Sequence, residues 1–333
     1  MTRPAAEPLP ALGVTIGKFN PFHLGHDFLI TEAKERCAHL VVLITRGARD
    51  SIPVELRARW ITECHPEVEV VITDDDLPAA PSPWAERVRQ LLPNQPDVAF
   101  TSEMYGEAWA TEMGSTHVPI DVDRSRVPVS GTALRADLGA NFRSLSPPAR
   151  AHFARRCVVM GAESTGTTSL AKSLAAHLNT VWVPEYGRIY WEGRRFAPTP
   201  ENWTADEFMT IASGQIVLEE ALARRANRVV IADTDPLATV VFHRRYRRTE
   251  LPGLRILAAE RKPDLYVVTA PDIPFSQDGT RESENHRVAM HEWFLDEVNA
   301  SGVSYLLVTG THEDRMAQAL RAVEPLLRFP ALT

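Results

Sequence analysis

Short apolar runs recur along the chain with room for one helix between each. In the first half, Val14–Gly17, Leu40–Ile44, Val68–Ile72, Val98–Thr101 and His117–Val122 read as strands, and Leu24–Cys37, Pro53–Cys64, Trp84–Leu92 and Met104–Met113 as the helices between them. Leu29, Ile30, Ala33 and Cys37 place an apolar stripe at the helical period. The strand runs are continuous and β-branched, not alternating, which marks strands covered on both faces. The pattern therefore predicts an α/β fold with a mainly parallel sheet. It begins again in the second half with Cys157–Met160, Val181–Val183, Val229–Ala232, Leu265–Val268 and Tyr305–Val308, and Leu170, Leu174 and Leu178 stripe the helix after the first of these. No short fixed period repeats. Between the halves the pattern breaks at NFRSLSPPARAHFARR, where Pro147 and Pro148 cannot continue a helix and the serines favour turns. This predicts two domains, 1–140 and 157–330, joined by a linker over 141–156.

Composition narrows the class. A chain of 333 residues suits two domains of roughly 100–200 residues each. Its 44% hydrophobic and 24% charged residues are those of a globular protein and exclude a mainly disordered one. The net charge of −7 offers no basic field for nucleic acid, so none is expected as a partner. Cys37, Cys64 and Cys157 lie far apart, which argues against a disulfide framework or a thiolate zinc site. The apolar runs are strand-sized, and Pro4, Pro8 and Pro10 break the N-terminus. No membrane span or signal peptide is expected, and the cytoplasm is the expected compartment.

Two strings carry chemistry in the first half. GKFNPFHLGH, residues 17–26, follows the first strand and opens the first helix. Open parallel sheets bind ligands beyond the carboxyl ends of their strands, and a helix N-terminus there offers backbone N–H groups to an anion. Lys18, His23 and His26 beside that N-terminus form a triphosphate-binding corner, while Gly17 and Gly25 let the backbone approach the ligand. Capping or packing is the plainer role for any single histidine. The second string, VSGTALR at Val129–Arg135, puts Ser130 at a helix cap and Arg135 one turn later, an arrangement that clamps phosphate.

The first string resembles the signature of the HxGH nucleotidyltransferase superfamily, and VSGTALR resembles that superfamily's second motif. TRGARDSIPVELRARWI, TSEMYGE and DVDRSRVPVSGTALR further resemble the nicotinamide mononucleotide adenylyltransferase half of the NadR family. The resemblance spans residues 13 to about 140. It implies a Rossmann-like domain making NAD and pyrophosphate from ATP and nicotinamide mononucleotide. Lys18, His23, His26 and Arg135 would meet phosphate charge, Ser130 and Thr132 would hold the β/γ end, and Gly17, Phe19 and Gly25 would line the nucleotide site, with Mg²⁺ on the triphosphate.

In the second half, GAESTGTTSL follows the first strand. Gly161 and Gly166 at the spacing of a phosphate loop precede Thr167-Thr168, with threonine where that loop has lysine. The loop amides and Ser164 can still cradle phosphates, and Thr168 can still ligate Mg²⁺. Asp233 ends an apolar strand where an acidic metal partner is expected, followed by Asp235. Glu185 and Arg188, in PEYGR, suit a base and a phosphate-binding arginine, and Gln277–Arg281 with Arg287 suit a lid. Trp191, Trp203 and Trp293 can stack on a base or ring, with core packing the plainer role. EYGR, Asp233–Asp235 and DG-x-R resemble the ribosylnicotinamide kinase half of the NadR family, over about 155–325. That implies a P-loop kinase domain acting on nicotinamide riboside, with Glu185 as base, Gly161, Ser164, Gly166, Thr167, Thr168, Arg188, Asp233 and Arg281 at the nucleotide, and Thr168 and Asp233 at the metal.

The leading reading is thus an NAD-salvage enzyme of the form without the family's helix-turn-helix repressor domain, since about a dozen residues precede Val14. Thr167 leaves open a kinase half weakened in rate, or one that only senses nucleotide. An adenylyltransferase for another phosphorylated acceptor is a further alternative. Self-association stays open.

Overall fold

The computed structural model describes residues 9–199, 202–274 and 284–332, and the chain divides into two compact units. The first comprises residues up to Ala149 together with Pro330–Thr333, and the second spans Arg150–Phe329. Both are parallel-sheet α/β folds, as the apolar pattern predicts.

In the first unit, β1 (Leu12–Gly17), β2 (His39–Arg46), β3 (Glu69–Asp74), β4 (Val98–Thr101) and β5 (Thr116–Pro119) alternate with α1 (Leu24–Lys34), α2 (Val54–Cys64), α3 (Pro81–Leu91), α4 (Gly106–Met113) and α5 (Gly131–Ala136). The five strands form one sheet in the order β3-β2-β1-β4-β5, and every pair is parallel. The chain moves outward from β1 in one direction through β3, then returns to β1's other side with β4. The strand order reverses beside β1, where such sheets open a crevice for ligands. Val14, Val41, Leu43 and Ala99 pack from the sheet against Ala85 and Val88 of α3 and Trp109 and Met113 of α4. Burial of side chains of this size contributes roughly 1.5–3 kcal/mol each.

The segment 141–156 is not the plain linker that its prolines suggest. Phe142–Ser144 forms a 3-10 turn, Pro147–Phe153 forms α6, and Arg155 begins the next strand. Pro147 and Pro148 start the helix, where a missing N–H costs nothing, instead of ending one. Leu145 is fully buried and bridges to His23, and the Ser146 N–H donates to the Phe22 carbonyl at 3.2 Å. Residues just past 140 thus hold the histidine loop. The division between units falls inside α6, after Ala149.

In the second unit, β6 (Arg155–Gly161), β7 (Trp182–Val183), β8 (Val229–Asp233), β9 (Leu265–Thr269) and β10 (Tyr305–Val308) pair in the order β10-β9-β6-β8-β7, again all parallel. The helices are α7 (Thr167–His177), α8 (Tyr186–Arg194), α9 (Ala205–Ala223), α10 (Pro236–Arg247), α11 (Pro252–Glu260), α12 (Glu284–Ser301) and α13 (His312–Val323). Capping boxes fix the starts of α9 (Thr204 with Glu207) and α13 (Thr311 with Asp314). Val159, Ile231 and Val267 of the sheet meet Leu170 and Leu174 of α7 and Ala319 and Val323 of α13. The central strand β6 therefore delivers the Gly161 loop to the sheet's carboxyl edge. Among the described residues, no helix is long and apolar enough to cross a membrane.

Candidate nucleotide sites

The first site forms where β1 turns into α1. His23 is the N-cap of α1, and its Nδ1 accepts from the backbone N–H of Gly25 at 3.1 Å and of His26 at 3.3 Å. That use of Nδ1 leaves the proton on Nε2. The His26 ring stacks on His23, with centroids 3.6 Å apart, and Phe19 and Phe22 pack against it at 4.8 and 6.1 Å. Burial, aided by the charges of Arg124 and Arg135, lowers His23 to about 4. Burial and the neighbouring His23 push His26 well below its ordinary value. Both rings are neutral at physiological pH. This departs from the cationic rings that the sequence suggests.

A cavity joins these rings to Glu103, Asp121, Arg124, Val129, Ser130 and Gly131. Ser130 caps α5, its hydroxyl accepting from the Ala133 N–H at 3.1 Å. Arg135 donates to the Asn20 carbonyl at 2.7 Å, with Thr132 Oγ1 3.3 Å from its other nitrogen. The arginine thus ties the second motif to the loop carrying the first. A Cβ on Gly25 would lie 3.0 Å from the His23 ring and 3.2 Å from Val129, so this close approach requires glycine. The other end of the loop is fixed by Arg57, which is fully buried. It donates to the carbonyls of Lys18, Thr45 and Ile52 and pairs with Asp50 at 2.7 Å.

The second site surrounds the loop between β6 and α7. Gly166 has φ +83°, in the region that favours glycine, and hands the chain to the N-terminus of α7. Thr168 Oγ1 donates to Asp233 Oδ2 at 2.6 Å, while Asp233 Oδ1 is buried without a hydrogen-bond partner among the described residues. Such a pair fits Mg²⁺, which takes one or two protein oxygens and fills its shell with water and phosphate. No group of three or more His, Cys, Asp or Glu suited to a metal occurs among the described residues. Arg315, nearly fully buried, pins the loop by donating to the Thr165 carbonyl at 2.5 Å and to those of Ala270 and Gly310 at 3.0 Å, and it also pairs with Asp272.

A cavity of about 530 Å³ opens from this loop toward α8, α9 and α10. Glu185, the N-cap residue of α8, stands in it, and burial reinforced by Asp233 raises its carboxyl to about 7. Arg188 Nε lies 3.8 Å from Glu185 Oε2. Gln215 holds the turn between them, accepting from the Tyr186 N–H at 2.7 Å and donating to the Thr234 carbonyl at 3.3 Å. The far wall is aromatic. Trp191 stacks on Trp203 at 5.8 Å, and Trp203 lies 5.4 and 5.7 Å from Phe208 and Tyr246.

The Cytidylyltransferase-like family matches residues 14–137, and the AAA domain family matches residues 156–315. The trifunctional NAD biosynthesis/regulator protein NadR of Escherichia coli (strain K12) is 25% identical over 341 residues, covering 94% of this chain and 82% of that protein. Two solved structures align over nearly their whole lengths. A NadR protein in complex with NR gives a TM-score of 0.71 at 22% identity, covering 96% of this chain and 97% of that one. A NadR protein in complex with NAD and AMP-PNP gives 0.69 at 23% identity, covering 97% and 98%. The chain is a NadR homologue. Its units are a nucleotidyltransferase fold followed by a P-loop fold, in the NadR order.

Several residues sit differently in this chain than the sequence suggests. Lys18 pairs with Asp75 at 2.6 Å and does not line the histidine cavity. The Phe19 ring is buried against His26, a support for that histidine and not a ligand wall. Trp191 and Trp203 line the cavity of the second unit instead of filling the core. Trp293 is covered by Arg244, 4.8 Å from its ring. Asp235 caps α10, accepting from the Ala238 N–H at 3.0 Å and the Tyr266 hydroxyl at 2.7 Å. Arg287 is buried and donates to the Ile273 carbonyl at 2.6 Å. Arg281 and the rest of Gln277–Arg281 lie outside the described residues. Sequence reasoning missed Arg124, Arg57, Gln215 and Arg315. Only Arg124 gives a local signal, a basic residue in the loop after the last strand.

Proposed function

We propose that the first unit transfers AMP from ATP to nicotinamide mononucleotide, giving NAD and pyrophosphate, and that the second phosphorylates nicotinamide riboside to supply that mononucleotide. The observation that carries this reading is the simultaneous likeness of both units, in order, to NadR proteins, one solved with NR and another with NAD and AMP-PNP.

In the first unit, a phosphate oxygen of the mononucleotide attacks the α-phosphorus of ATP as the bond to pyrophosphate breaks. No covalent enzyme intermediate is needed. The α1 N-terminus, the Nε2–H of His23, His26 and Arg124 surround the place where negative charge develops, with Arg135 bound to the carbonyl of Asn20 in the same loop, and one such donor is worth roughly 3–4 kcal/mol in a transition state. Gly25 and Ser130 line this corner, and Lys18 stays paired with Asp75 outside it.

In the second unit, the cavity combines a phosphate loop, a carboxylate and a flat aromatic wall. Trp191 and Trp203 suit a planar ring, and Glu185, near 7, suits a base for the riboside 5′-hydroxyl. Thr168 and Asp233 would hold Mg²⁺, which supplies charge neutralisation on the phosphates. Threonine at position 167 favours a second reading, a module that binds nucleotide without turnover.

Incubating the purified chain with ATP–Mg²⁺ and either nicotinamide mononucleotide or nicotinamide riboside, with products identified by mass, tests both units. NAD from the mononucleotide and mononucleotide from the riboside are expected. Failure of the riboside alone to react selects the nucleotide-sensing module, and failure of the mononucleotide overturns the adenylyltransferase.

A further inference from the structure

A further cavity, of about 730 Å³, lies between the end of α10 and the start of α12. That is the size of a site for a small organic molecule and far more than a bare oxyanion fills. Its walls are basic. Arg244, Arg245 and Arg248 line it from α10 and His286 from α12, and its described lining holds one carboxylate, Glu250. Arg255, outside the lining, already engages that carboxylate at 2.5 Å.

A chain of net charge −7 thus gathers four arginines into the five residues 244–248. Two of them hold other parts of the fold. Arg245 pairs with Glu163 at 2.6 Å, and Arg247 donates to the Trp203 carbonyl at 2.9 Å. Neither Arg244 nor Arg248 lies within 4 Å of a carboxylate among the described residues. Cations in the last turn of a helix complement its dipole, which accounts for a basic end to α10. It does not account for Arg248 in the cap position itself, at φ +54°, where glycine or asparagine ordinarily ends a helix. Nor does it account for Arg244, whose guanidinium lies over the Trp293 ring, 4.8 Å from its centre. Stacking on an indole holds a guanidinium in place and leaves its N–H edge for an anion. The Arg248 N–H donates to the Arg244 carbonyl at 2.9 Å, so both side chains leave one turn of the helix and line one cavity.

We propose that this cavity binds a phosphomonoester, its phosphate held by Arg244 and Arg248 and its organic body in the remaining volume. Planar guanidinium forks match phosphate oxygens two at a time, and a dianion relieves the repulsion between two cations one turn apart. The site is separate from the phosphate loop and depends on neither activity proposed above.

The test titrates the full-length chain with inorganic phosphate, ribose 5-phosphate and AMP while hydrogen exchange is read in peptides covering residues 244–250 and 286–293. At least one of the two esters should slow exchange in both peptides, with a Kd below about 1 mM. Tighter binding of AMP identifies a nucleotide as the occupant, and equal or tighter binding of ribose 5-phosphate a sugar phosphate. Arg244→Gln combined with Arg248→Gln should weaken this binding at least about tenfold, as expected when two charge-assisted contacts are lost. Affinity for AMP-PNP–Mg²⁺ should stay within about threefold. Should the double variant not fold, Arg248→Gln alone, at an exposed position, should still weaken the ester by about threefold or more. Exchange unaltered by every probe overturns the proposal, as does ester binding that the variants leave intact. Inorganic phosphate binding as tightly as both esters overturns the assignment to a phosphomonoester. A double variant that loses AMP-PNP–Mg²⁺ to the same extent overturns the separation of this site from the phosphate loop.

Discussion

His23 ends the loop after β1 and faces the histidine-lined cavity with the same ring. Both tasks need the neutral form, because the cap uses the Nδ1 lone pair. Its value falls from 6.5 to about 4 in the fold, so the stability that it contributes is complete above about pH 6.5 and is lost as pH falls toward 4. A difference of this size corresponds to about 3 kcal/mol. His23→Asn retains a capping acceptor and removes the titration. Melting profiles of the two chains between pH 7 and 4.5 should diverge, with the natural chain losing Tm more steeply. Glu185 runs in the opposite sense. Burial raises it from 4.5 to about 7, so its ionisation works against folding as pH rises across that interval. Riboside phosphorylation should increase with pH through about 7. Glu185→Gln should abolish it while raising the Tm of the second unit at pH 8 by about 6–12 °C, as expected for roughly 3 kcal/mol. Equal Tm values at pH 8 would remove the electrostatic account of this residue.

Elements are locked to one another by arginines that the sequence presents as ordinary surface charge. Arg315 on α13 collects carbonyls from the phosphate loop, the end of β9 and the turn after β10. Arg315→Met would leave those acceptors buried without a donor, at about 1–3 kcal/mol each. Denaturant titration should show the second unit unfolding earlier, while NAD synthesis by the first persists. The apolar runs made the ten strands among the described residues legible, most directly the central ones, because parallel strands buried on both faces read as continuous hydrophobic stretches. The glycine and histidine strings made the loops legible, since their spacing is local. Arg57, Arg315 and Gln215 were not, because what they bind lies on other elements. For the same reason the sequence left Trp191 and Trp203 open between core packing and ring stacking. An aromatic residue shows its size in sequence, while the cavity it faces exists only after α8 and α9 come together. The double proline was read as a stop when its place at the head of α6 made it a start.

At the scale of the molecule, each unit carries its own sheet, core and site. Residues 1–149 contain His23, His26, Arg124, Ser130 and Arg135 together with the 3-10 turn that holds the histidine loop. This fragment should fold alone and make NAD from ATP and nicotinamide mononucleotide. Relative to the whole chain it lacks the hydrogen bond from the Leu332 N–H to the Arg135 carbonyl, 2.9 Å long. Its unfolding free energy should therefore be lower by about 0.5–1.5 kcal/mol. A fragment that stays unfolded, or folds without activity, would show that the site depends on more than its own unit. The same bond sets an order of events during biosynthesis. Arg135 leaves the ribosome 197 residues before Leu332, a delay of about 10–40 s at roughly 5–20 residues per second. Throughout that interval the nascent first unit can assemble its sheet and close its histidine loop, but the backbone beneath Arg135 waits for the chain to return.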